Sequence, residues 1–337
     1  DNNGGQIALR DNVTVNSANG STASGLANGG KIILAGGLDN GANGGVANDG
    51  IPDGFASSST GNGIKLGSTT SNNSQFYSGG GDIVLLGKST FSGTTVNDNI
   101  GFDQLGKFTA NAGQGSISIN GESANFYGVN FVEPISNVTT GATHLSLISA
   151  KASGTAISIK GTSAVSHGVV FNYNNPKEIL ATGGGAISII GVGAGVDYGI
   201  FLQNQDILAT TGSITLNGGS KGIFTANAGM NLGRKVGSAI TSSSADISLI
   251  ADTFSFVNTS NLNTSGKVTL VSNADSFASA LTFPVTNLSL DAAVSGLTLG
   301  KAGNTAAMTI AGATTIAGPI SIYGADIAIN AATTATS

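Results

Sequence analysis

The sequence predicts an all-β fold: a right-handed parallel β-helix (solenoid) with three short strands per coil and a basal period of about 20 residues, at the short end of known solenoid repeats. Two recurring phrases and the composition point there. An apolar–small–apolar triplet, usually closed by glycine, returns as Ile117-Ser118-Ile119-Asn120-Gly121, Ile157-Ser158-Ile159-Lys160-Gly161, Ile187-Ser188-Ile189-Ile190-Gly191 and Ile214-Thr215-Leu216-Asn217-Gly218. Later in each unit comes a second phrase, a polar or aromatic residue followed by Gly and a β-branched residue. It reads Tyr127-Gly128-Val129-Asn130-Phe131, His167-Gly168-Val169-Val170-Phe171, Tyr198-Gly199-Ile200-Phe201-Leu202 and Lys221-Gly222-Ile223-Phe224. Short strands repeated in tandem are the mark of a solenoid. Charged residues make up 9 % of the chain and hydrophobic ones 40 %, a balance that suits a packed stack and not a disordered chain.

The first phrase supplies one strand per coil. Its lead residues are read as Ile7, Ile32, Ile64, Ile83, Ile117, Ile157, Ile187, Ile214, Ile247, Val268, Leu288, Met308 and Ile327. The final steps of this train, from Ile247 onward, are nearly equal and define the basal period, while earlier steps are lengthened by inserted loops. Alternation turns Ile117 and Ile119 inward and Ser118 outward, and the same holds for Ile157/Ile159, Ile214/Leu216 and Ile247/Leu249. The second phrase supplies another strand, with Phe131, Phe171, Phe201 and Phe224 read as an inward ladder and Tyr127 and Tyr198 as surface residues. A third element, Ile179-Leu180-Ala181-Thr182 and Ile207-Leu208-Ala209-Thr210, completes the coil. The glycines are expected at turns that need positive φ. Helical periodicity is almost absent. The rival fold, a β-sandwich, uses longer strands joined by hairpins and does not yield so short a tandem period.

Residues 1–337 read as one continuous β-helix, a piece of a longer repeat protein, with 36–63 as a Gly/Asn/Asp-rich insertion looping off one corner. Lys and Arg are scattered and the net charge is −5, which gives no basic patch for nucleic acid. No apolar run is long enough to span a membrane as a helix. Cysteine is absent, so packing and backbone pairing must supply the stability.

The segments Gly296-Leu297-Thr298-Leu299-Gly300-Lys301, Ala317-Gly318-Pro319-Ile320-Ser321-Ile322-Tyr323-Gly324 and Ala325-Asp326-Ile327-Ala328-Ile329-Asn330-Ala331 resemble repeats of very large bacterial surface exoproteins. Ser244-Ala245-Asp246-Ile247-Ser248-Leu249-Ile250-Ala251-Asp252 has the same style. These are the filamentous-haemagglutinin-like, β-strand-repeat adhesins. The resemblance implies a β-helix on the cell surface or in the extracellular matrix, acting in adhesion, biofilm structure or filament formation. The expected partners are neighbouring repeats or further copies end to end, together with surface glycans or host and neighbouring cells. It carries over no binding residue.

The densest oxygen-bearing loop holds Asp39, Asn43, Asp49 and Asp53 around glycine turns, in Asn48-Asp49-Gly50-Ile51-Pro52-Asp53-Gly54 and the stretch before it. Oxygen ligands at alternate positions suit Ca²⁺. The phrase is similar to the Asp-Gly-Ile-Pro-Asp motif of thrombospondin type 3 calcium repeats but has fewer carboxylates, and a solvated loop of Asx turns is the alternative. No catalytic residue is assigned. A polysaccharide lyase or hydrolase on a β-helix would need acids converging from successive coils, for which Asp82/Asp103/Glu122 and Glu178/Asp197 are the candidates. A carbohydrate-binding module within an adhesin is the other alternative. His144 and His167 lie apart and have no acidic neighbour in sequence.

Overall fold

A computed structural model describes residues 5–23, 25–37, 39–41, 46–48, 52–68, 72–93, 99–132, 145–172 and 177–336. Among them there is no helix, and the named strands pair in parallel between successive coils, which makes the chain a parallel β-helix. Three faces run along it. The first is the ladder Ile32, Ile83, Ile117, Ile157, Ile187, Ile214, Ile247, Val268, Leu297 and Ile320. The second is Ile7, Ile64, Phe102, Val129, Val169, Ile200, Ile223 and Phe254. The third is Val15, Phe76, Ala110, Leu147, Ile179, Ile207, Leu232, Leu262 and Leu290.

Strands as short as Ile7–Leu9 or Ile32–Leu34 have no independent stability, so each depends on the neighbouring coil. Inward side chains make one continuous core. Ile117, Ile157, Ile187, Ile214 and Ile247 are fully buried, each worth roughly 1.5–3 kcal/mol relative to exposure. Outward Ser118, Ser158, Ser188, Thr215 and Ser248 are half-buried, as alternation requires.

The register corrects the train of lead residues. Ile7 and Ile64 belong to the second face, and Leu288 belongs to the third, opposite Ser260. Met308 and Ile327 pair with one another in a separate three-stranded sheet that follows Leu281–Phe283. A half-buried strand of this length reads apolar–small–apolar on any face, so the triplet cannot say which face it belongs to. The basal period survives the correction. Coils of that length run from Met308 to Ile327, from Thr314 to Thr333 and from Ile247 to Val268. Most coils are longer, and the one from Ile117 to Ile157 has about twice the basal length of a short solenoid repeat.

The segment 36–63 is tied to itself and to the stack. Gly36 and Gly54 form an antiparallel bridge, and Ala56–Ser58 pairs in parallel with Gly87–Ser89 on the first face. The phrase glycines also differ from expectation. Gly121, Gly161 and Gly191 do not have positive φ. They are small because another backbone passes close: a Cβ on Gly161 would lie 2.0 Å from the Gly168 carbonyl oxygen, and one on Gly121 would lie 2.0 Å from that of Gly128.

Candidate functional site

This pinch positions the main departure from a smooth coil. The first-face strands run past Gly121, Gly161 and Gly191 and end at Ser123, Ser163 and Val192, and the chain rejoins the second face after Gly128, Gly168 and Gly199. The excursions stack into a fin. Ala164 N–H donates to Ser123 O at 3.0 Å, and Ala194 N–H to Ser166 O at 3.0 Å. Ser123 and Ser163, just past the pinch, hold the turn: Ser163 Oγ donates to Phe126 O and accepts from Ser166 N–H at 2.8 Å. In the coil of residues 218–222 the fin shrinks to a tight turn, Gly222 N–H bonding Gly218 O at 3.0 Å.

The residue before each returning glycine points out and stacks on its counterpart. Tyr127 and His167 have centroids 5.5 Å apart, and His167 and Tyr198 are 5.9 Å apart at an interplanar angle of 3°. Tyr198 continues onto Phe224 at 4.4 Å, Phe126 covers the far side of Tyr127 at 3.8 Å, and Phe201 touches both His167 and Phe224. All six rings are half-buried. This divides the predicted phenylalanine ladder. Phe131 and Phe171 are fully buried and stacked at 4.9 Å, but Phe201 and Phe224 lie on the outside, in register with Val170. The reason is a one-residue offset from the glycine, which on a strand turns a side chain to the opposite face.

His167 has an acidic neighbour that the sequence hides. Asp197 Oδ1 lies 3.9 Å from Nε2, and its Oδ2 accepts the Ser166 hydroxyl at 2.6 Å. Nδ1 accepts Tyr198 N–H at 2.9 Å, which places the proton of the neutral ring on Nε2. Burial pushes the His167 pKa down, against the opposing pull of Asp197 and of the Tyr198 carbonyl oxygen 3.4 Å from Nδ1. Burial, with Asp197 adding to it, raises that of Tyr127.

The other candidate acids are dispersed. Asp82 Oδ1 accepts the Ser116 N–H at 2.9 Å and its hydroxyl at 2.7 Å. Burial pushes its pKa up, but those bonds with Lys151 and Lys31 outweigh it and leave it lowered. Asp103 is buried and accepts from the side chains of Asn62 at 3.1 Å and Asn130 at 2.9 Å. Glu122 pairs with Lys88 at 2.9 Å. Glu178 sits opposite Asp206, not with Asp197. Burial raises its pKa, Asp206 raises it further, and Lys235 partly offsets both.

Asp206 anchors a polar row on the third face. Its Oδ1 accepts Asn231 Nδ2 at 2.7 Å, Asn231 Oδ1 accepts Asn261 Nδ2 at 2.9 Å, and Asn261 Oδ1 accepts the Ser289 hydroxyl at 2.6 Å. Lys235 caps Asp206 Oδ2 at 2.5 Å, and its neighbour Arg234 pairs with Asp291. Farther along the same loop, Ile240 packs over the outward Leu180 and Leu208. The segment is a clasp across coils.

Of the predicted calcium loop, Asp39 and Asp53 belong to the sequence motif whose Asn43 and Asp49 lie outside the described residues, as does His144. Asp53 is 4 % exposed, and its Oδ2 accepts the N–H groups of Asn40 at 2.8 Å and Gly41 at 2.6 Å, closing the loop on itself. Among the described residues no group of three or more His, Cys, Asp or Glu side chains is placed to hold a metal, and no helix is long and apolar enough to cross a membrane.

No family model matches the chain, and no curated protein or solved structure matches it either.

Proposed function

We propose that this chain is a non-enzymatic structural segment of a secreted bacterial surface protein, an adhesin of the filamentous-haemagglutinin-like kind, working in cell adhesion, biofilm matrix or filament formation. The supporting observation is the core: one column of inward Ile, Val, Leu and Phe side chains runs through successive coils on three faces, held by parallel pairing. Such a body is a spacer with long exposed faces, and its length grows with each coil. The dispersal of Asp82, Asp103 and Glu122, each engaged by a neighbouring side chain or backbone group, favours a scaffold over a polysaccharide lyase or hydrolase. Neighbouring coils of the same design are its partners at the ends, and cell-surface glycans are its partners along the sides.

Location tests this reading directly. Antibodies raised against the folded chain should label intact cells of the producing bacterium, and protease added outside should remove the label. Deleting these coils from the parent protein should reduce adherence or biofilm mass. A signal found only after lysis would overturn the proposal.

A further inference from the structure

The outer side of the fin carries a hydrogen-bond donor and an acceptor that face each other without meeting. His167 Nε2–H and Asp197 Oδ1 are 3.9 Å apart, beyond a direct bond. A hydroxyl between them, roughly 2.8 Å from each, would accept from Nε2 and donate to Oδ1. Both groups are held in place. Nδ1 is fixed by Tyr198 N–H, and Asp197 Oδ2 is fixed by the hydroxyl of Ser166, which is 6 % exposed. The Asp197 side chain is 35 % exposed and that of His167 is 14 % exposed, so the gap opens to solvent.

Around this gap the ring ladder runs parallel to the helix axis, from Phe126 and Tyr127 through Tyr198 to Phe224, with Phe201 beside it. We propose that the Tyr127–His167–Asp197–Tyr198 corner binds a neutral saccharide chain lying along the axis, with one sugar hydroxyl seated between His167 and Asp197. A saccharide fits because it combines closely spaced hydroxyls with apolar C–H surface. The rings cover one another's faces, so the sugar meets their outer edges and the hydrogen bonds set its orientation. The Asp197 carboxylate selects against acidic sugars, since like charge brought beside it is destabilising. Each contact is weak, and affinity accumulates along the ladder.

The test uses the whole chain on an array of neutral and acidic oligosaccharides, followed by titration of the best-retained neutral one by isothermal calorimetry. Asp197→Ala and Tyr198→Ala should each weaken binding about tenfold or more. Lys160→Ala, on the exposed first face, should leave it unchanged. Circular dichroism and melting temperature establish that each variant is folded, and Asp197→Asn, which keeps an acceptor, provides a milder variant that should retain part of the affinity. Retention of acidic glycans only, of no glycan, or of a neutral glycan equally by wild type and both alanine variants would overturn the site. Because binding is read on the isolated chain, its failure leaves the surface-scaffold reading to its own test of location.

Discussion

Burial between the rings of Tyr127 and Tyr198 disfavours the charged form of His167, while Asp197 and the Tyr198 backbone pull the other way. Its folded pKa is lowered, by burial first. The folded chain therefore binds fewer protons at this site than the unfolded chain, whose imidazole titrates near about 6.5. The stability contributed is fully present above that value. It falls as the pH drops through it and levels off below the folded pKa. His167→Gln cannot titrate, so the fall in melting temperature between neutral and mildly acidic pH should be shallower in this variant than in the wild type. Parallel pH profiles for the two proteins would refute the role given to His167. At Gly161 the argument is steric. A methyl group there would sit 2.0 Å from Gly168 O and 2.8 Å from Val169 Cγ2, where the chain enters the strand Val169–Asn172. Gly161→Ala should cost about 1–3 kcal/mol by overpacking, whereas Ser158→Ala, on the outward column ahead of the pinch, should stay within about 0.5 kcal/mol. Equal melting temperatures for the two variants would show that the pinch is not tight.

Among the elements, what was legible in the sequence was alternation, and what was hidden was register. Ile117/Ile119 and Ile214/Leu216 face inward as a period of two demands. Counting from the glycine would also have placed Phe201 outside, since Phe131 and Phe171 stand third after Gly128 and Gly168 while Phe201 stands second after Gly199. The His167–Asp197 pair was invisible because the two lie a whole coil apart along the chain. Their separation equals the coil step from Ile157 to Ile187, so knowledge of the step would have brought them together. The loop closed by Asp53 illustrates a different limit. An oxygen-rich sequence looks the same whether its carboxylates hold a cation or backbone N–H groups, and here Asp53 Oδ2 holds two of the latter. Chelation with EGTA should therefore leave amide exchange at Asn40 and Gly41 unchanged, while Asp53→Ala should accelerate it. If EGTA alone accelerates exchange there, the loop depends on calcium after all.

For the whole molecule, the geometry is that of a stack in which each coil interacts only with its neighbours, so the ends differ in kind from the middle. Met308 and Ile310 are 1 % exposed, yet Ile327 and Ile329, their register partners one coil on, are 48 % and 60 % exposed. The same inward position is thus core in one coil and surface in the next. The final strands, Ile327–Ile329 and Thr333–Ala335, also present one edge of unpaired backbone groups, a template for another strand. Ile7 and Leu9 of the first strand, only partly buried against the core, mark the opposite end. A second copy stacked on either surface would make a head-to-tail contact, which propagates linearly instead of closing. In a solution of residues 1–337 we expect a second copy to supply the next coil. Sedimentation velocity should then show a concentration-dependent shift towards longer species, and Ile329→Lys, a charge placed in the cut core, should suppress it while leaving the secondary-structure spectrum intact. A chain that stays monomeric across the concentration range and melts at the same temperature as Ile329→Lys would show that the end is stable uncovered, and that the stack does not grow by adding its own kind.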